Sequence, residues 1–283
     1  MSSRRATPGV IGAVLALAAC ALAGCSSSGK GANPTTTLAA TTTTAPFGLR
    51  VTRTGQQQLP YYNQGVARVP GGWIFSGTNG LWRTDDHLKV LKMISPAIPA
   101  AWKAKGFNHV GDIDVVGRYI YAPFEEPDYT KGHQATARYD RLTLKFVDAV
   151  ILPQHQNSFV TIDPSTMTAY TQDEFDGNTL LRYDVAHAWK PLPQLRMSQV
   201  LHHTQGGDVL HGAIWISTDD APRDIFRVDL KSGQVTTVAQ LGHRGGEGEG
   251  IDASDLPSGF LHAMCVDKKF VPVWFEHFRA AAS

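Results

Sequence analysis

A five-bladed β-propeller is the fold class this sequence predicts, and three observations predict it. First, Arg-x-Asp occurs at a recurring spacing: Arg83-Thr84-Asp85, Arg138-Tyr139-Asp140, Arg182-Tyr183-Asp184 and Arg227-Val228-Asp229. Self-similarity at a period of roughly 40–50 residues marks a repeat architecture. Second, apolar strand-like runs recur between the copies and are mostly led by glycine, as in Gly72-Trp73-Ile74-Phe75 and Gly212-Ala213-Ile214-Trp215-Ile216. Third, helical periodicity is nearly absent after Phe47, where short β-type runs alternate with Gly, Pro, Asn and Asp.

The elements follow in chain order. Arg4 and Arg5 precede an apolar run from Val10 to Leu22, which has the form of an export signal over residues 1–24. Ser3-Arg4-Arg5 lacks the hydrophobic residue expected after a twin-arginine signal, so a general or a twin-arginine route both stay open. Leu22-Ala23-Gly24-Cys25 resembles the lipobox of bacterial lipoproteins. That resemblance implies cleavage before Cys25, lipidation (palmitate included) at its sulfur, and anchoring on the extracytoplasmic side of the cytoplasmic membrane. Residues 25–46, rich in Ser, Thr, Gly, Ala and Pro, read as a tether too polar to offset its ordering entropy. Cys20 leaves with the signal and Cys25 takes the lipid. Cys265 then has no partner, so packing rather than a disulfide must hold the fold; Cys265 itself reads as a small buried apolar residue.

Residues 47–283 form the propeller, in five units of about 45 residues. Their inner strands are expected at Gln64–Ala67, Gly111–Val115, Ser158–Ile162, Gly206–Leu210 and Glu249–Asp252. The fifth unit is short of a strand, whereas Leu49–Thr54 is a strand without a unit. Unpaired edges invite aggregation, so the N-terminal strand is expected to complete the last blade. Six blades are the alternative if residues 95–108 hide strands. Trp102–Lys105 can form one helical turn. In Arg-x-Asp, the aspartate is expected to cap the following turn, and the arginine to pair locally or with a neighbouring blade.

Propeller topology places the entries to the inner strands around one mouth of the central channel. Those entries contain Gln64, His109, His155, Asn157, His203, Gln205, His243, Glu247 and Glu249. The loops between second and third strands on the same face are acidic: Glu125–Asp128, Asp173–Asp176 and Ser217–Asp220. Glu247 and Glu249 share one strand face and repel unless a cation or a shared proton intervenes; a carboxyl pair of that kind also suits general acid/base work. Converging oxygens suit Ca²⁺, imidazoles suit a transition metal, and a wet polar channel with neither remains a third reading. Tyr61, Tyr62, Phe124 and Tyr129 fall on the same rim and could stack on a planar ligand. A net charge of +1 with 18% charged residues and no basic cluster past residue 5 excludes an ordinary nucleic-acid binder. No Gly-x-Ser-x-Gly elbow or phosphate-binding glycine loop occurs.

The inner-strand carboxylates and Glu247-Gly248-Glu249-Gly250-Ile251-Asp252 resemble the calcium-dependent propellers of the gluconolactonase/paraoxonase type. The resemblance implies Asp112, Asn157, Asp208 and Glu249 as ligands of a channel Ca²⁺, with His109 and His203 as catalytic bases. Two functions follow as expectations. One is an anchored, monomeric envelope lipoprotein that binds a small molecule, glycan or protein on its His/acid rim. The other is a Ca²⁺-dependent hydrolase of small esters, lactones or phosphoesters.

Overall fold

The aspartate of every Arg-x-Asp copy ends a strand and closes the turn that follows. Asp85 Oδ1 accepts the N–H groups of His87 and Lys89, and Asp140 Oδ1 those of Leu142 and Thr143. Asp184 takes the N–H of His187, and Asp229 those of Lys231 and Ser232. Short polar side chains that satisfy backbone donors two to four residues on are a mechanism for making turns. The repeat is therefore a punctuation mark between third and fourth strands. Two of the arginines lie over aromatic rings: Arg182 over Tyr170, and Arg138 over Tyr119 while bonded to Asp148.

The computed structural model describes residues 43–44, 49–173, 177–242, 246–267 and 272–282, all within the unit Ala39–Ser283. The export signal, Cys25, most of the tether and His243 lie outside the described residues. The N-terminal strands β1 (Thr43–Thr44) and β2 (Leu49–Leu59) precede blade one, made of β3 (Val66–Val69), β4 (Gly72–Gly77), β5 (Gly80–Asp85) and β6 (Val90–Ile94). The insertion that follows holds a single helical turn, α1 (Ala100–Lys103), and no strand, so there is no sixth blade. Blade two has its inner strand split into β7 (His109–Val110) and β8 (Asp114–Val116), followed by β9 (Tyr119–Glu125), β10 (Gln134–Asp140) and β11 (Phe146–Leu152). Blade three is β12 (Thr161–Asp163), β13 (Thr168–Gln172), β14 (Thr179–Asp184) and β15 (Lys190–Arg196). Blade four is β16 (Thr204–Leu210), β17 (Ala213–Thr218), β18 (Asp224–Asp229) and β19 (Val235–Gln240).

Blade five joins both ends of the chain. Its order is β20 (Glu247–Asp252), β21 (Phe260–Val266), β22 (Val273–Ala282), then β2 and β1. Strand β2 runs antiparallel along the length of β22, from Leu49 opposite Ala282 to Leu59 opposite Val273. Arg53 on β2 pairs at 3.2 Å with the buried Glu276 of β22, fastening the seam. β1 adds a fifth strand outside it, with Thr43 opposite Val51.

Second strands are buried throughout, as in β4 and β17, while outer strands such as β6 and β15 face solvent. The core lies between blades as five apolar clusters. One joins blades one and two around Ile74, Phe124 and Tyr139; another joins blades five and one around Trp73, Phe75 and Phe275. Each fully buried Leu, Ile or Phe in them contributes about 1.5–3 kcal/mol. Cys265 is buried in the cluster that holds Leu261 and Phe278, with its thiol 3.6 Å from Glu276 Oε1.

Inner strands are laced to one another by side-chain oxygens. Asp114 Oδ2 accepts Ile162 N–H at 2.7 Å, Thr161 Oγ1 accepts Val209 N–H at 2.9 Å, and Asp208 Oδ2 accepts Ala253 N–H at 2.6 Å. Asp252 Oδ2 accepts Arg68 N–H at 2.6 Å, carrying the lacing across the seam. At the centre sits Asp112. Its Oδ1 takes the N–H groups of Val66 and Ile113, and its Oδ2 those of Gly207 and Ile251. Its own N–H donates to Ser158 O at 2.8 Å, so one residue bonds into all five blades. Glycine makes this possible at Gly206 and Gly250, where a Cβ would meet an Asp112 oxygen at 2.8 and 2.4 Å.

Candidate functional site

The inner-strand entries do meet at one mouth of the channel. Gln64, Thr78, His109, Gln205, Glu247 and Glu249 line a cavity of about 220 Å³ there. Five of these six are rim residues expected from the sequence. Glu247 and Glu249 enter on β20, whose register against β21 shifts between Gly248 and Ile251. Bulges of this kind re-aim side chains, and Glu249 is left nearly inaccessible at 2% exposure. Burial pushes its carboxyl well above the usual range, and the charges of Glu247, Asp219, Asp112 and Glu125 push the same way. Glu247 is raised too, by burial first and by Asp219 next, against a downward pull from Arg223 and His109. Asp219 is itself raised by burial, although Arg223 Nε lies 3.2 Å away.

The rim histidines are paired with the acid that begins the second-to-third loop of their own blade. His109 Nδ1 lies 3.0 Å from Glu125 Oε2, and His155 Nδ1 lies 2.9 Å from Asp173 Oδ2. In blade four the relation is made by backbone, with Asp219 N–H donating to His203 O at 2.7 Å. The other nitrogen of His109, Nε2, lies 2.7 Å from Gln64 Oε1, and Gln64 Nε2 reaches Glu249 Oε1 at 3.4 Å. Both ring nitrogens of His109 are therefore engaged. His203 is exposed with φ of 52° and lies outside the cavity lining, as does His155.

Of the four residues implied as calcium ligands, Asp112, Asn157 and Asp208 are hydrogen-bonded within the fold and Glu249 lines the cavity. Asp112 has each carboxylate oxygen occupied by two backbone donors. Burial raises this carboxyl while those donors lower it; with only donors around it, a protonated form would aim its hydroxyl at an N–H, so the ionised form fits. Asn157 is equally saturated: its oxygen accepts from Gln154 and Thr171, and its nitrogen donates to Ala135 O and Thr136 Oγ1. Asp208 belongs to the inter-strand lacing, where the charges of Asp252 and Asp114 add to burial in raising its carboxyl. Among the described residues no three His, Cys, Asp or Glu side chains converge as a metal would require.

Of the rim aromatics, Tyr62 stacks on Phe75 at 5.0 Å in the core and Phe124 is fully buried, which removes both from a ligand-facing role. Tyr129 hydroxyl lies 3.5 Å from Glu125 Oε2, and Tyr61 is 73% exposed. Thr78 is the lining residue that sequence reasoning missed. A signal existed: Thr78, Glu125 and Asp219 each lie four residues past the second-strand residue opposite the repeat arginine, namely Ile74, Tyr121 and Trp215.

No protein-family model matches this chain, and no curated protein matches its sequence. Its backbone is similar to solved propellers. Against a glutaminyl cyclase from Myxococcus xanthus the TM-score is 0.59 at 12% identity, covering 82% of this chain and 97% of that one. Against a luciferin-regenerating enzyme it is 0.51 at 9% identity, covering 83% and 85%. At these identities the likeness establishes a shared β-propeller architecture.

Proposed function

We propose that the channel mouth is the catalytic site of an acid–base enzyme in which Glu249 and Glu247 move protons on a small carbonyl substrate. The observation that carries this reading is the carboxyl pair itself. Two glutamates two residues apart face one cavity, and both are pushed toward neutrality. Pairs of titratable groups in a cleft with perturbed affinities for protons are what acid–base chemistry needs.

In this reading Glu247, the more accessible of the two, takes a proton from the attacking water or amine. The nucleophile bonds to the carbonyl carbon, the bond to the leaving group breaks, and the leaving group takes the proton held by Glu249. Gln64, Gln205 and Thr78 orient the substrate by hydrogen bonds, and Glu125 with His109 holds Gln64 in place. Among the described lining residues there is neither Lys nor Arg, so a neutral or cationic substrate fits better there than an anionic one. Esters, lactones and amides are the classes to try; glutaminyl compounds belong in the set because one structural neighbour is named a glutaminyl cyclase.

The test is turnover of that set by the purified chain. Glu249→Gln and Glu247→Gln should each lower kcat by about 100-fold or more while far-UV circular dichroism stays unchanged. Turnover that survives both substitutions overturns the assignment. Binding without turnover favours a non-catalytic receptor for a small molecule or glycan, for which the exposed Tyr61 offers a stacking surface. The same reading places the propeller on the extracytoplasmic side of the membrane through lipid on Cys25; a Cys25→Ala chain that stays membrane-bound overturns that.

A further inference from the structure

Inner and second strands are joined by two residues in blades one, two and four (70–71, 117–118 and 211–212), but by seven in blade five (253–259). The longer connection carries a 3₁₀ turn, Leu256–Ser258, and its Leu256 and Pro257 face blade four across a cavity of about 290 Å³. Leu210, His211, Trp215 and Arg227 of blade four stand opposite, and Ala280 of β22 completes the lining. Inner strands enter at the channel mouth and leave here, so this cavity lies on the other face of the propeller.

Its walls are apolar. Trp215 is 4% exposed and belongs to the cluster between the two blades, against which Leu210 and Leu256 pack. One guanidinium is set in that wall. Arg227 stands opposite Trp215 across the β17–β18 pair, with its side chain 19% exposed. In blade two the repeat arginine Arg138 faces Asp148 on the outer strand, which accepts from its Nε and Nη2. In blade four the residue opposite Arg227 is Thr236. Asp229 Oδ2 stands 3.9 Å from Arg227, beyond hydrogen-bond distance, and its Oδ1 is committed to the turn.

We propose that this cavity binds a small organic monocarboxylate, with the carboxylate on Arg227 and the apolar body between Trp215, Leu210, Leu256 and Pro257. A guanidinium shielded from bulk water, with a threonine rather than an acid across the strand, attracts an anion more strongly than an exposed one. Its planar fork matches a carboxylate through two parallel bonds. The volume lies near the lower end for small-molecule sites, which fits a body of about six to ten carbons. No residue is shared with the channel mouth, so the site stands apart from the acid–base reading.

The experiment is isothermal titration of the purified chain with octanoate, and with octanamide and acetate for comparison. Octanamide keeps the apolar body and loses the charge; acetate keeps the charge and loses the body. The expected result is saturable one-to-one binding of octanoate, with both comparison compounds at least about tenfold weaker. Arg227→Gln and Leu256→Glu should each weaken octanoate by about tenfold or more, the first by removing the cation and the second by placing a carboxylate in the wall. Octanamide that binds as tightly as octanoate, the lack of any saturable octanoate binding, or unchanged affinity in either variant overturns the proposal. The comparison of the three compounds on the unsubstituted chain decides the matter even if a variant fails to fold. Because no turnover is measured, failure here and failure of the catalytic reading are separate outcomes.

Discussion

Asp112 and Ile251 are 139 residues apart in the chain, yet the Ile251 N–H donates to Asp112 Oδ2 at 3.3 Å on the propeller axis. With Val66, Gly207 and Ile113 on the same carboxylate, this residue closes the channel beneath the cavity and ties the blades together.

Asp112→Ala should therefore be among the most damaging single substitutions in the chain. It leaves four buried N–H groups without an acceptor, each a loss of about 1–3 kcal/mol. A destabilisation of at least ~3–5 kcal/mol is expected. Urea unfolding of the variant checks it, and a loss below about 1 kcal/mol would show that the carboxylate is not the hub.

Glu249→Gln should stabilise the protein while removing the proposed acid. The folded-state pKa of Glu249 is raised, so the native protein binds this proton more tightly than the unfolded chain. That advantage is present at low pH and is lost as pH rises through the folded value. Glutamine keeps the bond from Gln64 without carrying a charge. Tm should rise more at pH 8 than at pH 5, by about 2–4 °C per kcal/mol for a domain of this size. Equal shifts at the two pH values would contradict a buried, elevated carboxyl.

The seam should be acid-sensitive through His262 and His277. Their Nδ1 atoms are 2.8 Å apart, and His262 Nε2 lies 3.3 Å from Asp255 Oδ2. Burial first and the charge of His277 next lower His262 to about 4. The unfolded chain takes up this proton near pH 6.5, so stability falls as pH drops from there toward about 4. His262→Phe keeps the ring contacts with Trp73 and Phe275 and should flatten this acid limb in a Tm-versus-pH series. An unchanged limb would place the acid sensitivity elsewhere.

Ring closure by β2 should be separable from the rest of the chain. A protein beginning at residue 60 lacks the strand that covers β22 and should be aggregation-prone. A synthetic peptide of residues 49–59 should restore a cooperative melting transition. A truncated chain that melts like the parent without peptide would show that the seam is dispensable.

Much of the blade architecture was legible because turns are local chemistry. Asp140 and Asp229 each satisfy backbone donors within three residues, so Arg-x-Asp marks the third strand wherever it occurs. The rim was legible in part. Gln64, His109, Gln205, Glu247 and Glu249 follow from knowing that inner-strand entries share a face. At Asp112 and Asn157 the residue types suit a cation, and which donors reach their oxygens is decided by the fold. The sequence misled at Tyr62 and Phe124, which the rim topology exposes on paper and the inter-blade core buries.

The amino-acid sequence by itself determined the repeat, the strand-ending turns and the joining of the chain's two ends, because each depends on residues close together or on a strand left over. Tertiary structure alone decided which polar side chains remain available. Whether a carboxylate is a ligand, an acid or a structural fastener depends on the donors that other blades bring to it. Those donors come from 32 to 185 residues away, as in the bonds from Asn157 to Glu125 and from Gln64 to Glu249.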